Sequence, residues 1–159
     1  MTVVVAVDGP SGSGKTTFAA ALAQSLGGDV TVLHMDDFYA GWDGLVEGVA
    51  LLASEVLEPV AAGGQGSYRP WRWASGARGA RRVVPAAAVL IVEGVGSSAG
   101  APVDYAIWLD ADAAVRRRRA LERDGEMFAP HWDRWAEQEK ALFDADRTRE
   151  RADLIVETG

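Results

Sequence analysis

The chain has 159 residues, of which 48% are hydrophobic and 25% are charged. This size and composition predict one folded domain and exclude a largely disordered chain. The formal net charge of −7 argues against a general nucleic-acid-binding protein, and there is no cysteine to form a disulfide or a thiolate metal site.

The apolar runs are short because glycine, proline or charged residues interrupt them. None reaches the roughly 18 residues that indicate a membrane span. The N-terminus leads directly into a β-branched segment, without the basic start and cleavage site of a signal peptide. We therefore expect a cytoplasmic protein that does not bind membranes and is a monomer or a homodimer.

The predicted elements alternate between strands and helices. In chain order they are a strand at Val3–Val7, a helix at Thr16–Leu26, a strand at Val30–Leu33, an apolar helical stripe from Leu45 to Val60, strands at Val89–Val92 and Tyr105–Leu109, helices at Ala111–Arg123 and at about 130–146, and a strand at Leu154–Val156. Such alternation predicts an α/β three-layer sandwich with a mostly parallel five-stranded sheet. We expect residues 1–159 to form a single domain, with an irregular excursion at about 65–84.

A phosphate-binding loop is predicted at Gly9–Thr16, which matches the pattern G-x-x-x-x-G-K-[ST] at every fixed position. Its glycines allow backbone N–H groups to point inward and form an anion site at a helix N-terminus. Lys15 is expected to reach the β- and γ-phosphates, and the Thr16 hydroxyl to bind Mg²⁺. Asp8 and Thr17 either order the loop or contact ligand or metal. The predicted nucleotide-binding residues are Gly9, Pro10, Ser11, Gly12, Ser13, Gly14, Lys15, Thr16 and Thr17.

Two acidic residues follow predicted strands. Asp36 lies just after the second strand, and Glu93 ends the third in the manner of a Walker B acid. The carboxyl ends of parallel strands line the ligand crevice. Asp36 can therefore accept a hydroxyl proton or hold Mg²⁺ through water, although a helix cap or a solvated loop acid is the alternative. Glu93 is expected near the metal.

An arginine-rich helix is the predicted start of a lid at about 116–130. Arg116, Arg119 and Arg123 fall on one face of this helix at 3.6 residues per turn. We predict that Arg119 and Arg123 act as lid arginines on the phosphates, and the alternative is a solvated face with local ion pairs.

The excursion interleaves arginines with aromatic residues. One interpretation is a substrate-facing platform, and the others are a packed hairpin or a surface for single-stranded nucleic acid, which the acidic chain disfavours. The residues concerned are Tyr68, Arg69, Trp71, Arg72, Trp73 and Arg78.

Three further polar residues lie outside these motifs. His34 and His131 are isolated and are predicted to be structural. Glu139 falls inside the apolar stripe of the last long helix, so it either pairs with an arginine or borders the crevice.

The order of these motifs resembles the uridine kinase-like branch of the P-loop small-molecule kinases. The likeness rests on the phosphate loop, Asp36–Tyr39, the aromatic and arginine-rich excursion, Glu93–Val95 and the arginine-rich helix, and it covers nearly the whole chain. It implies that ATP and Mg²⁺ are bound, that Asp36 is the general base on the acceptor hydroxyl, and that Tyr39 lies against the substrate. It also implies that Glu93 and Thr16 hold the metal. The position of Asp36 after its strand makes it a further candidate ligand.

The excursion departs from this branch. Uridine kinases commonly carry a tyrosine-aspartate-phenylalanine segment followed by a histidine that contacts the base, whereas Tyr68–Trp73 and the later Arg78 supply neither the acid nor the histidine. The predicted substrate-binding residues are Asp36, Tyr39, Tyr68, Arg72 and Arg78.

The sequence therefore predicts a kinase that transfers the γ-phosphoryl of ATP to a hydroxyl of a nucleoside or similar metabolite. Lys15, Asp36, Arg119 and Arg123 are the predicted catalytic residues. Two alternatives stay open. The first is a kinase of another small acceptor, such as a nucleoside monophosphate, a sugar acid or a cofactor precursor. The second is an ATP-binding regulatory module without turnover.

Overall fold

The computed structural model describes residues 1–159, and its elements follow the predicted alternation. In chain order they are β1 (Val3–Asp8), α1 (Lys15–Leu26), β2 (Val30–His34), α2 (Leu45–Leu52), α3 (Glu58–Ala61), β3 (Ser67–Tyr68), β4 (Trp71–Arg72), β5 (Ala77–Arg78), β6 (Arg82–Val83), β7 (Val89–Glu93), β8 (Tyr105–Asp110), α4 (Ala113–Asp124), α5 (Trp132–Asp146), α6 (Thr148–Arg151) and β9 (Leu154–Glu157). A π-helical turn at Ala53–Leu57 joins α2 to α3.

The central sheet has the strand order β2-β7-β1-β8-β9, and every neighbouring pair is parallel. Parallel strands buried on both faces need near-continuous apolar runs, which β1 and β7 supply with valine, isoleucine and leucine. The predicted five-stranded α/β sheet is confirmed. Because all five strands run the same way, their carboxyl ends meet at one edge.

Side chains of the sheet alternate between two hydrophobic clusters. In β1, Val4 belongs to the larger cluster, whereas Val5 and Val7 belong to a smaller one that packs under α1. The larger cluster also contains the apolar face of α2 and Trp135 from α5. This packing fixes α1 on one side of the sheet and α2 with α5 on the other.

The excursion at 65–84 contains two short antiparallel pairs, β3 with β6 and β4 with β5. The structure therefore gives this segment more order than the predicted irregular chain. It adds no strand to the central sheet.

Several predicted bounds differ at the helix ends. The helix predicted from Ala111 begins at Ala113, since the Asp112 side chain accepts a hydrogen bond from the amide of Ala114 and caps it. Short 3₁₀ turns at Gly125–Met127 and Ala129–His131 precede α5, which begins at Trp132. No helix has the length and apolar character needed to cross a membrane.

Candidate active site

The phosphate loop connects β1 to α1, as its sequence predicts. By helix geometry the first amides of α1 have no partner within the helix and are free to bind an anion. Gly12 has a φ of 78°, and a Cβ there would lie 2.1 Å from the carbonyl oxygen of Arg116. Only glycine therefore allows the loop to approach α4 this closely.

Three side chains hold the outer face of the loop by its carbonyl groups. Arg116 donates to the carbonyl of Ser11 at 3.3 Å, Arg119 to that of Gly12 at 3.4 Å, and the Thr158 hydroxyl to that of Ser13 at 2.6 Å. With these carbonyls engaged outside, the amides of Gly12 and Gly14 and of the first turn of α1 are left for the inner face of the loop.

Lys15 lies at the base of the loop and is 8% exposed. Its ammonium donates to the carbonyl of Pro10 at 2.8 Å and lies 3.4 Å from the Ser13 hydroxyl. Burial lowers the pKa of Lys15, and the attraction of nearby carboxylates, led by Glu139, opposes this effect. Lys15 thus holds a buried ammonium group at the base of the loop.

Glu93 is held at the carboxyl end of β7 by two neighbours. The Thr16 hydroxyl donates to Glu93 Oε2 at 3.0 Å, and His34 Nδ1 lies 2.8 Å from Glu93 Oε1. His34 is the register partner of Glu93 across β2 and β7. The hydrogen bond to Glu93 raises the pKa of His34. The predicted structural role of His34 thus takes the form of orienting Glu93.

The oxygens of Thr16 and Glu93 suit Mg²⁺, which prefers oxygen ligands. No group of three or more acidic, histidine or cysteine side chains is arranged to hold a metal. A P-loop Mg²⁺ fits this set because it typically takes one or two protein ligands and completes its shell with phosphate and water oxygens.

Asp36 projects into a cleft of about 230 Å³ beside the phosphate loop. Its carboxylate is open to the cleft, and no protein group bonds to it. The cleft walls nevertheless displace much of its water, and this desolvation, with the nearby Glu93 charge, raises the pKa of Asp36 against the opposing pull of Arg123 and Lys15. Asp36 is therefore an uncommitted proton acceptor next to the loop.

Aromatic side chains form a wall of the cleft, here called the aromatic wall, which consists of Trp42, Trp73, Phe128 and Trp135. The indoles of Trp42 and Trp73 meet edge to face at 5.0 Å, and Trp42 also stacks on His131 at 4.7 Å. The full lining is Ser11, Gly12, Gly14, Lys15, Thr16, Asp36, Tyr39, Trp42, Trp73, Glu93, Gly94, Val95, Arg123, Asp124, Met127, Phe128 and Trp135. Of the excursion, Trp73 alone lines the cleft, and its indole N–H donates to the backbone carbonyl of Asp36 at 2.9 Å.

Tyr39 lines the cleft with its ring, as the resemblance implies, but its hydroxyl is committed elsewhere. The hydroxyl donates to the carbonyl of Val95 at 2.5 Å, and the ring meets Trp135 edge to face at 4.8 Å. Burial raises the pKa of Tyr39 well above its usual value. Tyr39 therefore contributes a fixed, neutral surface.

Of the two predicted lid arginines, only Arg123 lines the cleft. It lies at the end of α4 and pairs with Asp124 at 2.9 Å. The guanidinium of Arg119 is instead held by the carbonyls of Gly12 and Thr158. Arg119 thus supports the loop from outside.

Tyr68, Arg72 and Arg78, predicted to bind substrate, do not line the cleft. The Tyr68 ring is buried and stacks on Phe38 at 4.6 Å. Arg78 donates to the carbonyls of Asp37 and Phe38, and Arg72 packs over Gly79. Tyr68 and Arg78 thus tie the excursion to the segment after β2, whereas Arg72 packs within the excursion.

Thr17, predicted to contact the nucleotide, is exposed on α1 and makes no hydrogen bond with its side chain. Asp8 is fully buried and orders the loop, which is one of its two predicted roles. Its carboxylate accepts from the amides of Gly9, Gly96 and Ser98 at 2.8–3.0 Å and from the Ser98 hydroxyl at 2.7 Å. Asp8 thus fastens the start of the phosphate loop to the segment after β7.

Of the aromatic wall, only Trp73 was singled out from the sequence, under the interpretation of the excursion as a substrate-facing platform. Trp42, Phe128 and Trp135 come from three different segments, so only the tertiary fold brings them together. A weaker signal did exist for Trp135, since it lies four residues before Glu139 on the same face of α5.

No protein-family model matches the sequence, and no curated protein matches it either. Solved structures do share its fold. A protein described as a possible uridine kinase from Bacillus stearothermophilus superimposes with a TM-score of 0.67 at 22% identity, over 98% of this chain and 88% of that one.

Two shikimate kinases are also similar. The one from Acinetobacter baumannii, solved in complex with shikimate, has a TM-score of 0.59 at 18% identity, over 100% of this chain and 85% of that one. The one from Bacteroides thetaiotaomicron has a TM-score of 0.55 at 17% identity, over 96% of this chain and 84% of that one. These likenesses show that the chain shares the fold of the three structures. Within that fold, the chain's phosphate loop, Asp36 and Glu93 line one cleft.

Proposed function

We propose that the protein is an ATP-dependent kinase that transfers the γ-phosphoryl group to a hydroxyl of a small molecule. The observation that carries this proposal is the placement of a free Asp36 carboxylate in one cleft with Lys15 and the Thr16–Glu93 pair. A nucleotide-binding module without turnover has no need of an unbonded acid at this position.

In the proposed reaction, the loop amides and Lys15 bind the phosphates and hold the γ-phosphoryl group in line with the acceptor. Asp36 orients the acceptor hydroxyl and takes its proton. Thr16 and Glu93 would hold Mg²⁺, which neutralises phosphate charge when bound. Arg123 offsets the charge that develops during transfer, and the residues after it, Met127 and Phe128, exclude water from the cleft.

The cleft favours an acceptor without phosphate or carboxylate groups. An anionic acceptor needs arginines that face it. Of the predicted candidates, Arg78 is bonded to backbone carbonyls after β2 and Arg72 packs over Gly79 outside the cleft. Arg123, the one arginine that lines the cleft, is assigned to the transferred phosphoryl group. The aromatic wall suits a flat or apolar ring. A nucleoside or similar neutral alcohol is thus supported over a nucleoside monophosphate or a sugar acid.

The test is an ATP-consumption screen over nucleosides, nucleotides and hydroxylated metabolites, followed by variants. Lys15→Ala should abolish ATP binding, because the loop then lacks its buried cation. Asp36→Asn should keep ATP affinity and lose transfer, because the amide cannot take the proton. Asp37→Asn is the matched control, since Asp37 does not line the cleft.

Two results would reject the proposal. Retained turnover in Asp36→Asn would remove the role of that residue as the base. ATP binding without consumption of ATP in the presence of any acceptor class would favour a regulatory module.

A further inference from the structure

A buried carboxylate from α5 reaches the phosphate loop. Glu139 is 4% exposed, and its Oε1 accepts from the amide of Ser11 at 3.0 Å and from the Ser11 hydroxyl. The same hydroxyl accepts from the indole N–H of Trp135 at 3.1 Å. Because Trp135 and Glu139 are one helical turn apart, a single face of α5 fixes the Ser11 residue.

When ionised, Glu139 places a negative charge beside a loop that suits an anion. Among the charges near Lys15, Glu139 exerts the strongest attraction on its ammonium group. Burial raises the pKa of Glu139, whereas the Ser11 bonds, Lys15 and Arg116 favour its ionised form. A phosphate loop normally offers hydrogen-bond donors and positive charge only. A buried acid bonded to such a loop opposes the binding of an anion there.

We propose that Glu139 is a positioning residue of the phosphate loop that also limits nucleotide affinity. Its hydrogen bonds keep the amide of Ser11 turned away from the phosphates and fix the shape of the loop. Its negative charge competes with the bound phosphates for Lys15 and repels them. The inference rests on the proposed function only in that a nucleotide binds at Gly9–Thr16.

The charge and the hydrogen bonds have separable consequences. A neutral hydrogen-bond acceptor at position 139 would hold Ser11 equally well. If Glu139 had a purely structural role, glutamine would therefore be tolerated without a gain in nucleotide affinity. A charge that opposes the phosphates makes the opposite prediction, because its removal must strengthen nucleotide binding. The gain should be larger for ATP than for ADP, since ATP carries more negative charge.

The experiment is calorimetric titration of ADP and ATP with Mg²⁺ into the full chain. Glu139→Gln keeps an oxygen that accepts from Ser11 and loses the charge, and we expect ADP to bind about tenfold more tightly. Glu137→Gln makes the same charge change at an exposed position of α5 and should leave affinity within about twofold. Unchanged or weaker ADP binding by folded Glu139→Gln would overturn this inference and leave the proposed function untouched.

A second variant keeps the proposal testable should Glu139→Gln fail to fold. Ser11→Ala removes the hydroxyl bonds and leaves the charge, so nucleotide affinity should stay the same or fall. Tighter binding by Ser11→Ala would contradict the role given to the charge. If the unmodified protein bound neither ADP nor ATP, the proposed function itself would fail, and the inference with it.

Discussion

The carboxylates around the phosphate loop differ in what they bond, and these differences separate their roles. Glu93 accepts from Thr16 and is bonded to His34, and Asp8 accepts from three amides and a hydroxyl. Asp36 has no protein partner for its carboxylate. A carboxylate whose oxygens already accept hydrogen bonds holds structure in place. A carboxylate without such bonds, beside a phosphate site, is available to accept a proton.

Replacing Asp8 by alanine should destabilise the fold. Four donors from Gly9, Gly96 and Ser98 would be left buried without a partner, and unsatisfied buried polar groups are costly. We expect a loss of about 3 kcal/mol in the free energy of unfolding, measured by urea denaturation. Glu122→Ala, at an exposed position of α4, is the control and should cost under about 0.5 kcal/mol. Equal stability of the two variants would contradict the role of Asp8.

At the scale of elements, the contact between the phosphate loop and α4 depends on one glycine. Gly12→Ala should separate the two, because its Cβ would lie 2.1 Å from the backbone oxygen of Arg116. Gly14→Ala is the matched control, since Gly14 also has positive φ but a Cβ added there would meet no atom within 4 Å. We expect a loss of about 3 kcal/mol or more for Gly12→Ala and about 1–2 kcal/mol for Gly14→Ala. Thermal and urea unfolding measure both, and the reverse order would refute the packing argument.

The β4–β5 hairpin brings Trp73 to the cleft, so this hairpin should influence the acceptor and not the nucleotide. Trp73→Ala is expected to raise the KM for the acceptor about tenfold and to leave ATP affinity unchanged, because a flat contact surface is lost on the acceptor side alone. Trp71→Ala, in the same hairpin but outside the cleft lining, is the control. Steady-state kinetics and calorimetry provide the two measurements. Equal KM values for the two variants would argue against acceptor contact by Trp73.

At the scale of the whole molecule, the two hydrophobic clusters share the strands of one sheet, which predicts one cooperative unfolding transition. ADP at about 100 times its dissociation constant should add about 2.7 kcal/mol and raise Tm by about 5–10 °C. Lys15→Ala should remove this shift. Differential scanning calorimetry measures both effects, and two separate transitions would contradict the predicted single domain.

Periodicity and spacing were sufficient to predict the sheet, the phosphate loop and the positions of Asp36 and Glu93 at strand ends. The reason is that these features depend on local sequence and on the common direction of parallel strands. The bonding of His34 to Glu93 follows from the register of β2 and β7, which no single-strand pattern contains.

The excursion shows why the rest of the site could not be read from the sequence. Arg72, Arg78 and Trp73 lie in one short segment of mixed polar and aromatic residues. Which of them faces the cleft depends on where β4 and β5 pack against the residues after β2. Arg78 donates to the carbonyls of Asp37 and Phe38 and therefore lies outside the cleft, whereas Trp73 donates to the carbonyl of Asp36 and lines it.

The aromatic wall has an optical consequence. Trp42, Trp73 and Trp135 are three of the six tryptophans of the chain, and all three line the cleft. Indoles as close as the 5.0 Å between Trp42 and Trp73 couple their electronic transitions. Their emission and near-ultraviolet circular dichroism should therefore respond when a molecule enters the cleft. The protein thus carries its own label-free reporter of occupancy of the cleft, which allows candidate ligands to be ranked before any turnover is observed.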